Sequence, residues 1–308
     1  MVNVDDTIHL CILYGINGAA ILVNLLLIWI IVMRTPVAKR SYAIFLLNNA
    51  FIDVGFAMAS VLGAARTISL PNGKVAFIYI GQCTGIGGIR LCNFCESLQI
   101  YLFLESMMIL LLSFGYRRYI IRTGTAYVRL PPRKVVWCWC LFAYIMISPF
   151  WYLSMESLRD RSSAVARDLR SFNNNAAIAW LYNFDNRVVA IALFVVLFTP
   201  ISMILMLILR KSLITNLSTM SRQGQIHHGY IVKALTYQIL IPFGFLFSIL
   251  AWFIDFSTFE SGSIAQRFII VLGNNIFTLA SPLINLIYLP SYRKVFTNSE
   301  ISKRPHII

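Results

Sequence analysis

Residues 188–209 read VVAIALFVVLFTPISMILMLIL, an apolar run closed by Arg187 on one side and by Arg210 and Lys211 on the other. A helix needs about 20 mostly apolar residues to cross a hydrocarbon core about 30 Å thick, and this stretch reaches that length with no charged residue inside it. Outward from it in both directions lie six more mostly apolar stretches. The seven are Ile12–Met33, Tyr42–Ala65, Ile89–Phe114, Val135–Leu153, Val188–Leu209, Ile231–Ile254 and Phe268–Pro290. They are too long and too uniformly apolar for a membrane barrel, whose alternating strands span about ten residues each. Hydrophobic residues make up 58% of the chain and charged ones 12%, against roughly half and a quarter in a soluble domain. The reading is an all-α membrane protein, a seven-transmembrane helix bundle.

A formal charge of +14 raises the question of a nucleic-acid partner, and the placement of the basic residues answers it. With the amino terminus outside, 17 of the 26 Lys and Arg fall in cytoplasmic segments: around Arg34 and Arg40, from Arg117 to Lys134, from Arg210 to Lys233, and from Arg293 to Arg304. One acid, Glu300, opposes them. This is the positive-inside pattern, so the expected orientation is amino terminus outside and carboxyl terminus in the cytoplasm. The partner of the charge is then the lipid bilayer of the plasma membrane, and no nucleic acid is expected. Only Met1–Ile8 precedes the first apolar run, so the first helix is expected to serve as its own targeting signal.

A single membrane domain over 1–308 is expected, with a short cytoplasmic tail at 295–308, because most connections are too short to fold separately. The exception is the loop Ser154–Arg187, which mixes acids and arginines beside Asn173-Asn174-Asn175 and reads as a solvated lid, with direct ligand capture as the other reading.

Polar side chains at membrane depth are costly, so each is a functional candidate. Asn49 and Asp53 in the second span are four residues apart and share a helical face that must point into the bundle. Asn24 in the first span and Asn274, Asn275, Ser281 and Asn285 in the seventh are positioned to complete a polar network. The plain alternative is a water-filled structural network; the functional one is a conformational switch. In the third span, Glu96, Gln99, Phe103, Ser106, Leu110 and Arg117 fall on or near one stripe at 100° per residue. Glu96, Gln99 and Phe103 describe a pocket part hydrogen-bonding and part apolar. Glu105 falls off the stripe and faces a neighbouring helix. Pro149, Pro200, Pro242 and Pro282 lie inside spans four to seven, where each removes an N–H and kinks its helix.

These residues resemble a known family. Asn24, Asp53, Arg117 at the inner end of the third span, Trp137 or Trp139, Pro200, and Pro282 with Tyr288 look like a degenerate rhodopsin-type G protein-coupled receptor. Four blocks are similar to nematode chemoreceptors of the serpentine receptor class delta and its relatives: RSYAIFLLNNA at 40–50, LLLSFGYRRY at 110–119, KALTYQILIP at 233–242 and PLINLIYLPSYR at 282–293. The resemblance implies a chemosensory receptor that binds a small-molecule ligand among the outer halves of the helices and activates a heterotrimeric G protein. By position it implies Arg117 as the transmission arginine, Asp53 and Ser106 as lining a central polar pocket and Tyr288 as the seventh-helix switch. With the residue reading this makes Arg117, Arg118 and Tyr288 the expected coupling residues and Asn24, Asn49, Asp53, Ser106 and Asn285 the expected switch network. The resemblance implies the sensory cilium of a chemosensory neuron as the location. Two departures stand out. Tyr116 replaces the acid that precedes the arginine in rhodopsin-type receptors, and the loop Ser154–Arg187 has no cysteine to bond the third helix. A bridge from Cys83 to Cys92 or Cys95 is the nearest replacement.

The alternative is a solute transporter or ligand-gated channel, but internal repeats and Gly-rich midplane gaps are missing and Asp53, Glu96 and Glu105 are scattered. No nucleophile–base–acid motif, phosphate loop or zinc signature appears. Enzyme activity, a cofactor and a metal are therefore not expected, and the adjacent His227 and His228 point to different helix faces.

Overall fold

The computed structural model describes residues 4–35, 40–70, 74–123, 131–158, 177–182, 186–218, 222–248, 264–289 and 292. Among the described residues, seven helices form a bundle: α1 (Val4–Arg34), α2 (Arg40–Gly63), α3 (Cys83–Thr123), α4 (Arg133–Ser157), α5 (Asn186–Ser218), α6 (Arg222–Gln238, continued by residues 241–248) and α7 (Ile264–Tyr288). Six are long and apolar enough to cross a membrane, and α7 carries the further apolar segment Asn275–Tyr288. Several helices outrun their apolar stretches, because hydropathy marks only the depth of the hydrocarbon while helical hydrogen bonding continues beyond it. The sixth span beyond residue 248, most of the Ser154–Arg187 loop, Pro290 and the 295–308 tail lie outside the described residues.

Sequence explains where the helices bend. Gly88 stands at φ 61, ψ −159 inside α3, a conformation open to a residue without Cβ. The apolar run from Ile89 starts just past this kink. Pro149 deprives the Ile145 carbonyl of its helical partner, and the Ser148 hydroxyl donates to that carbonyl at 2.9 Å, so α4 continues. Pro242 has a larger effect. The carbonyl four residues before it belongs to Gln238, and the α-helix stops there; Leu240 N–H turns back to the Tyr237 carbonyl at 3.1 Å and Phe243 N–H to that of Leu240 at 3.2 Å.

The helices close a ring in chain order, α1 also packing against α7, with α3 at the centre against α2, α4 and α5. The buried core follows this axis: Phe45, Leu104, Ile109, Phe114, Met206 and Leu235 are almost wholly enclosed. Large apolar side chains such as Leu22, Trp29, Phe142, Leu193 and Ile208 instead stand exposed on the outside. A bundle apolar both within and without has lipid, not water, as its solvent.

One element goes beyond the expected helices. Strands β1 (Ala65–Leu70), β2 (Lys74–Tyr79) and β3 (Ala177–Tyr182) form an antiparallel sheet in the order β1-β2-β3. Ala65 pairs with Tyr79, and Tyr79 in turn with Ala177. The loop read as a solvated lid therefore supplies, in part, an edge strand. Ala64, at φ 40, turns the chain from α2 into β1, and Gly81 lies so close to the Leu62 carbonyl that a Cβ has no room. The sheet thus sits on the end of the bundle where α3 begins.

Candidate functional site

At the sheet end, two links tie α3 to its surroundings. Cys83 is disulfide-bonded to Cys92 across the Gly88 kink, with Cα atoms 5.2 Å apart, while Cys95 is a buried free thiol. Tyr79 of β2 donates its hydroxyl to Asn93 Oδ1 at 3.1 Å, and Asn93 Nδ2 donates to the Leu158 carbonyl at 2.7 Å. Burial first, and then the Glu96 carboxylate, push the Tyr79 phenol well above its ordinary value, so it stays a neutral donor. One link holds the kinked start of α3 closed; the other joins sheet, α3 and the end of α4.

Deeper along α3, Gln99 Nε2 donates to Glu96 Oε2 at 3.4 Å and to the Cys95 carbonyl at 3.5 Å. Both side chains are half-buried. These two expected ligand contacts therefore adjoin. Phe103, the third, is instead enclosed: its ring stacks on Phe245 of α6 at 3.7 Å and meets Phe277 of α7 edge-on at 5.7 Å, and Phe277 meets Phe56 of α2 at 4.6 Å. Four helices thus share one aromatic layer.

Phe103 and Phe277 also line a cavity of about 20 Å³, room for one or two waters. Its other walls include Asn49, Ser106, Gln238, Pro242 and Ser281. Ser106 donates to Asn49 Oδ1 at 3.0 Å, and Asn49 Nδ2 donates to Ser281 at 2.9 Å. Gln238, the last residue before the α6 break, donates to Asn285 Oδ1 at 3.3 Å. The cavity therefore lies where a broken helix meets a polar chain running from α3 through α2 to α7.

The residues expected to form one polar network fall into separate groups. Asn49 and Ser106 join through the cavity, Asn285 bonds Gln238, and Asn24 donates to the Thr278 carbonyl at 2.8 Å and to that of Ala20 at 2.9 Å. Asp53 is buried beside Ser281, and neither of its oxygens makes a hydrogen bond of good geometry among the described residues. Glu105 is equally enclosed and unbonded on the α4 side of α3, within electrostatic reach of Cys140 and Tyr144. The expected Asn275 gathers two residues that escaped the sequence reading: Asn17 donates to Ser60 at 3.2 Å and to Asn275 Oδ1 at 3.1 Å, and Ser60 donates to the same oxygen at 2.8 Å. The signal was present, since Asn17 and Asn24 are seven residues apart and so share one helix face.

At the far end of α3, Arg117 is only 5% exposed, its guanidinium carbon 3.7 Å above the centre of the Tyr42 ring. Arg118 beside it is half-buried. The Tyr116 ring packs against Phe45, at 5.4 Å, and Trp139, at 6.5 Å. Tyr292 lies within electrostatic reach of Arg117; its hydroxyl meets Thr35 Oγ1 at 3.3 Å, and burial pushes its phenol up to about 12. Tyr288 stacks on Tyr237 of α6 at 4.7 Å, with Lys233 Nζ 5.5 Å from its ring. The expected coupling residues Arg117, Arg118 and Tyr288 therefore gather at one end of the bundle. Tyr42 was not singled out, because a tyrosine at the start of a span reads as an interfacial anchor.

Comparison with known proteins bears on the whole chain. A family model described as serpentine type 7TM GPCR chemoreceptor Srd matches residues 10–298. Serpentine receptor class delta-1 of Caenorhabditis elegans is 27% identical over 294 residues, covering 91% of this chain and 77% of the relative. Serpentine receptor class delta-18 of the same organism is 27% identical over 289 residues, covering 88% and 82%. Class delta-2 reaches 35% over 118 residues, 38% of this chain and 31% of the relative.

Proposed function

The chain belongs to the Srd family of serpentine seven-transmembrane G protein-coupled chemoreceptors, and from that premise we propose that it binds a small-molecule chemical cue and activates a heterotrimeric G protein. It works in the plasma membrane, with the sheet end outside and the Arg117 end in the cytoplasm, as the distribution of 17 basic residues against one acid favours. Its place by family likeness is the sensory cilium of a chemosensory neuron.

The observation that carries this reading is the position of Arg117. A cation held inside the bundle at one end of α3, on the same helix as the half-buried Glu96 and Gln99 at the other, gives a ligand site and a coupling site one rigid connection. Between them lie the stacked Phe103–Phe245 pair and the cavity at the α6 break. A ligand that hydrogen-bonds Glu96 and Gln99 and presses on the aromatic layer shifts α3 against α6, and the break beside Pro242 is where α6 yields. The Ser106–Asn49–Ser281 chain, with Asn24, Asp53 and Asn285, is the switch region in this account. Arg117, Arg118 and Tyr288 face the G protein.

A panel of small molecules applied to cells expressing the chain, with calcium and cyclic-nucleotide readouts, tests the proposal. Active compounds are expected to lose their effect when G-protein signalling is blocked. Substrate-dependent uptake or current that persists without any G protein would mean a carrier or channel instead.

A further inference from the structure

We propose that Tyr42 is the positioning residue that holds Arg117 inside the bundle, its ring face standing where a carboxylate partner is missing. The inference rests on the coupling role given to Arg117 above.

Three observations carry it. First, the guanidinium is enclosed, yet its Nε and Nη2 have no hydrogen-bond partner among the described residues. A buried cation with unpaired donors needs another source of stabilisation. Second, among the described residues the groups that act on it electrostatically are phenols, those of Tyr42, Tyr116 and Tyr292. Of these, Tyr42 presents its face at 3.7 Å, which is cation–π geometry, and such a contact strengthens when water is excluded. Tyr116 is engaged with Phe45 and Trp139, and the Tyr292 hydroxyl with Thr35. Third, the Tyr42 hydroxyl, although Arg117 and Ser113 lie within its reach, makes no hydrogen bond of good geometry among the described residues. The ring face is therefore the principal contact that Tyr42 contributes.

The surroundings make this seat releasable. Tyr42 lies in the first turn of α2, while Arg117 is near the far end of α3, so any shift of the α3 end relative to the α2 start separates ring from cation. Thr35, just past α1, and Tyr292, beyond α7, close another side of the site through their hydroxyl contact. A docked acceptor group satisfies the unpaired N–H groups that the ring leaves open. The seat is thus stable without a partner and improvable with one.

The test uses the purified full-length chain in detergent, treated with phenylglyoxal, which modifies accessible arginines, and read site by site by mass spectrometry. Arg122, exposed at the end of α3, serves as the internal reference. In the wild type Arg117 reacts slowly. Tyr42→Phe should leave it equally protected, whereas Tyr42→Leu should raise its modification on the order of tenfold, the factor corresponding to loss of a desolvated cation–π contact. Phenylalanines of rising ring fluorination placed at position 42 keep the shape while emptying the ring face, so Arg117 reactivity should climb along the series even if the leucine variant fails to fold. A flat series, or Tyr42→Phe as reactive as Tyr42→Leu, overturns the proposal. No G protein enters the assay, so its failure leaves the receptor reading standing, and failure of that reading leaves this result intact.

Discussion

Asn24 donates its side-chain amide to the main-chain carbonyl of Thr278 at 2.8 Å, and that carbonyl is the one that Pro282, four residues on, leaves without a helical N–H. In hydrocarbon no water is at hand to take it, so α1 supplies the donor that α7 lacks. The same contact fixes the height of α1 against α7. Thr278 also closes on its own helix, its hydroxyl donating to the Asn275 carbonyl at 2.7 Å, and Asn275 holds Asn17 and Ser60.

Asn24→Ala should therefore lower stability in detergent by about 1–3 kcal/mol, the usual loss when a buried carbonyl is left unpaired. Pro282→Ala returns an N–H to that carbonyl, so in its background the same asparagine change should cost markedly less. Thermal unfolding of the four proteins of this cycle measures the coupling. Equal losses in both backgrounds would show that Asn24 does not act through Pro282.

The Cys83–Cys92 bond closes a short loop, with a sequence separation of 9, around the kink at Gly88. Paired replacement by serine should cost roughly 2–3 kcal/mol through the freed chain entropy of the unfolded state. It should also loosen the Tyr79–Asn93–Leu158 link one helical step away. Unfolding with and without reductant checks this, with Cys95 expected to resist maleimide until the bundle opens. An unfolding temperature indifferent to reductant would count against it.

Long apolar runs were the legible part of this fold. Val188–Leu209 can hardly be anything but a spanning helix, since its composition leaves no polar face to hydrate. The sheet was hidden for the opposite reason. Its strands are short, and Ala65 was absorbed into the preceding apolar count; the Pro71-Asn72-Gly73 sequence between β1 and β2 has turn chemistry, but the pairing of β2 with the distant β3 is non-local. Pro242 was readable as a disruption, though not that it ends α6 at Gln238, because a bend and a break differ by which carbonyls find other partners. In the candidate site, the stripe on α3 was legible because helical periodicity alone defines it. Which members pair was not: Asn24 with Thr278, Asn285 with Gln238 and Arg117 with Tyr42 depend on the rotation of one helix against another.

The orientation proposed from the charge distribution is open to direct test. A glycosylation acceptor placed between Arg122 and Arg133 should stay unmodified when the chain is made in microsomes, whereas one placed between β1 and β2 should gain sugar. Sugar on the first and none on the second would invert the topology and with it the assignment of ligand and coupling ends.

Signalling through Arg117 is the central claim, and one comparison tests it most directly. With an active compound in hand, wild type and Arg117→Ala are brought to equal surface expression and their compound-dependent activation of the G protein is measured. The account predicts that the arginine variant reaches the surface and loses activation. Activation undiminished in the variant would contradict it.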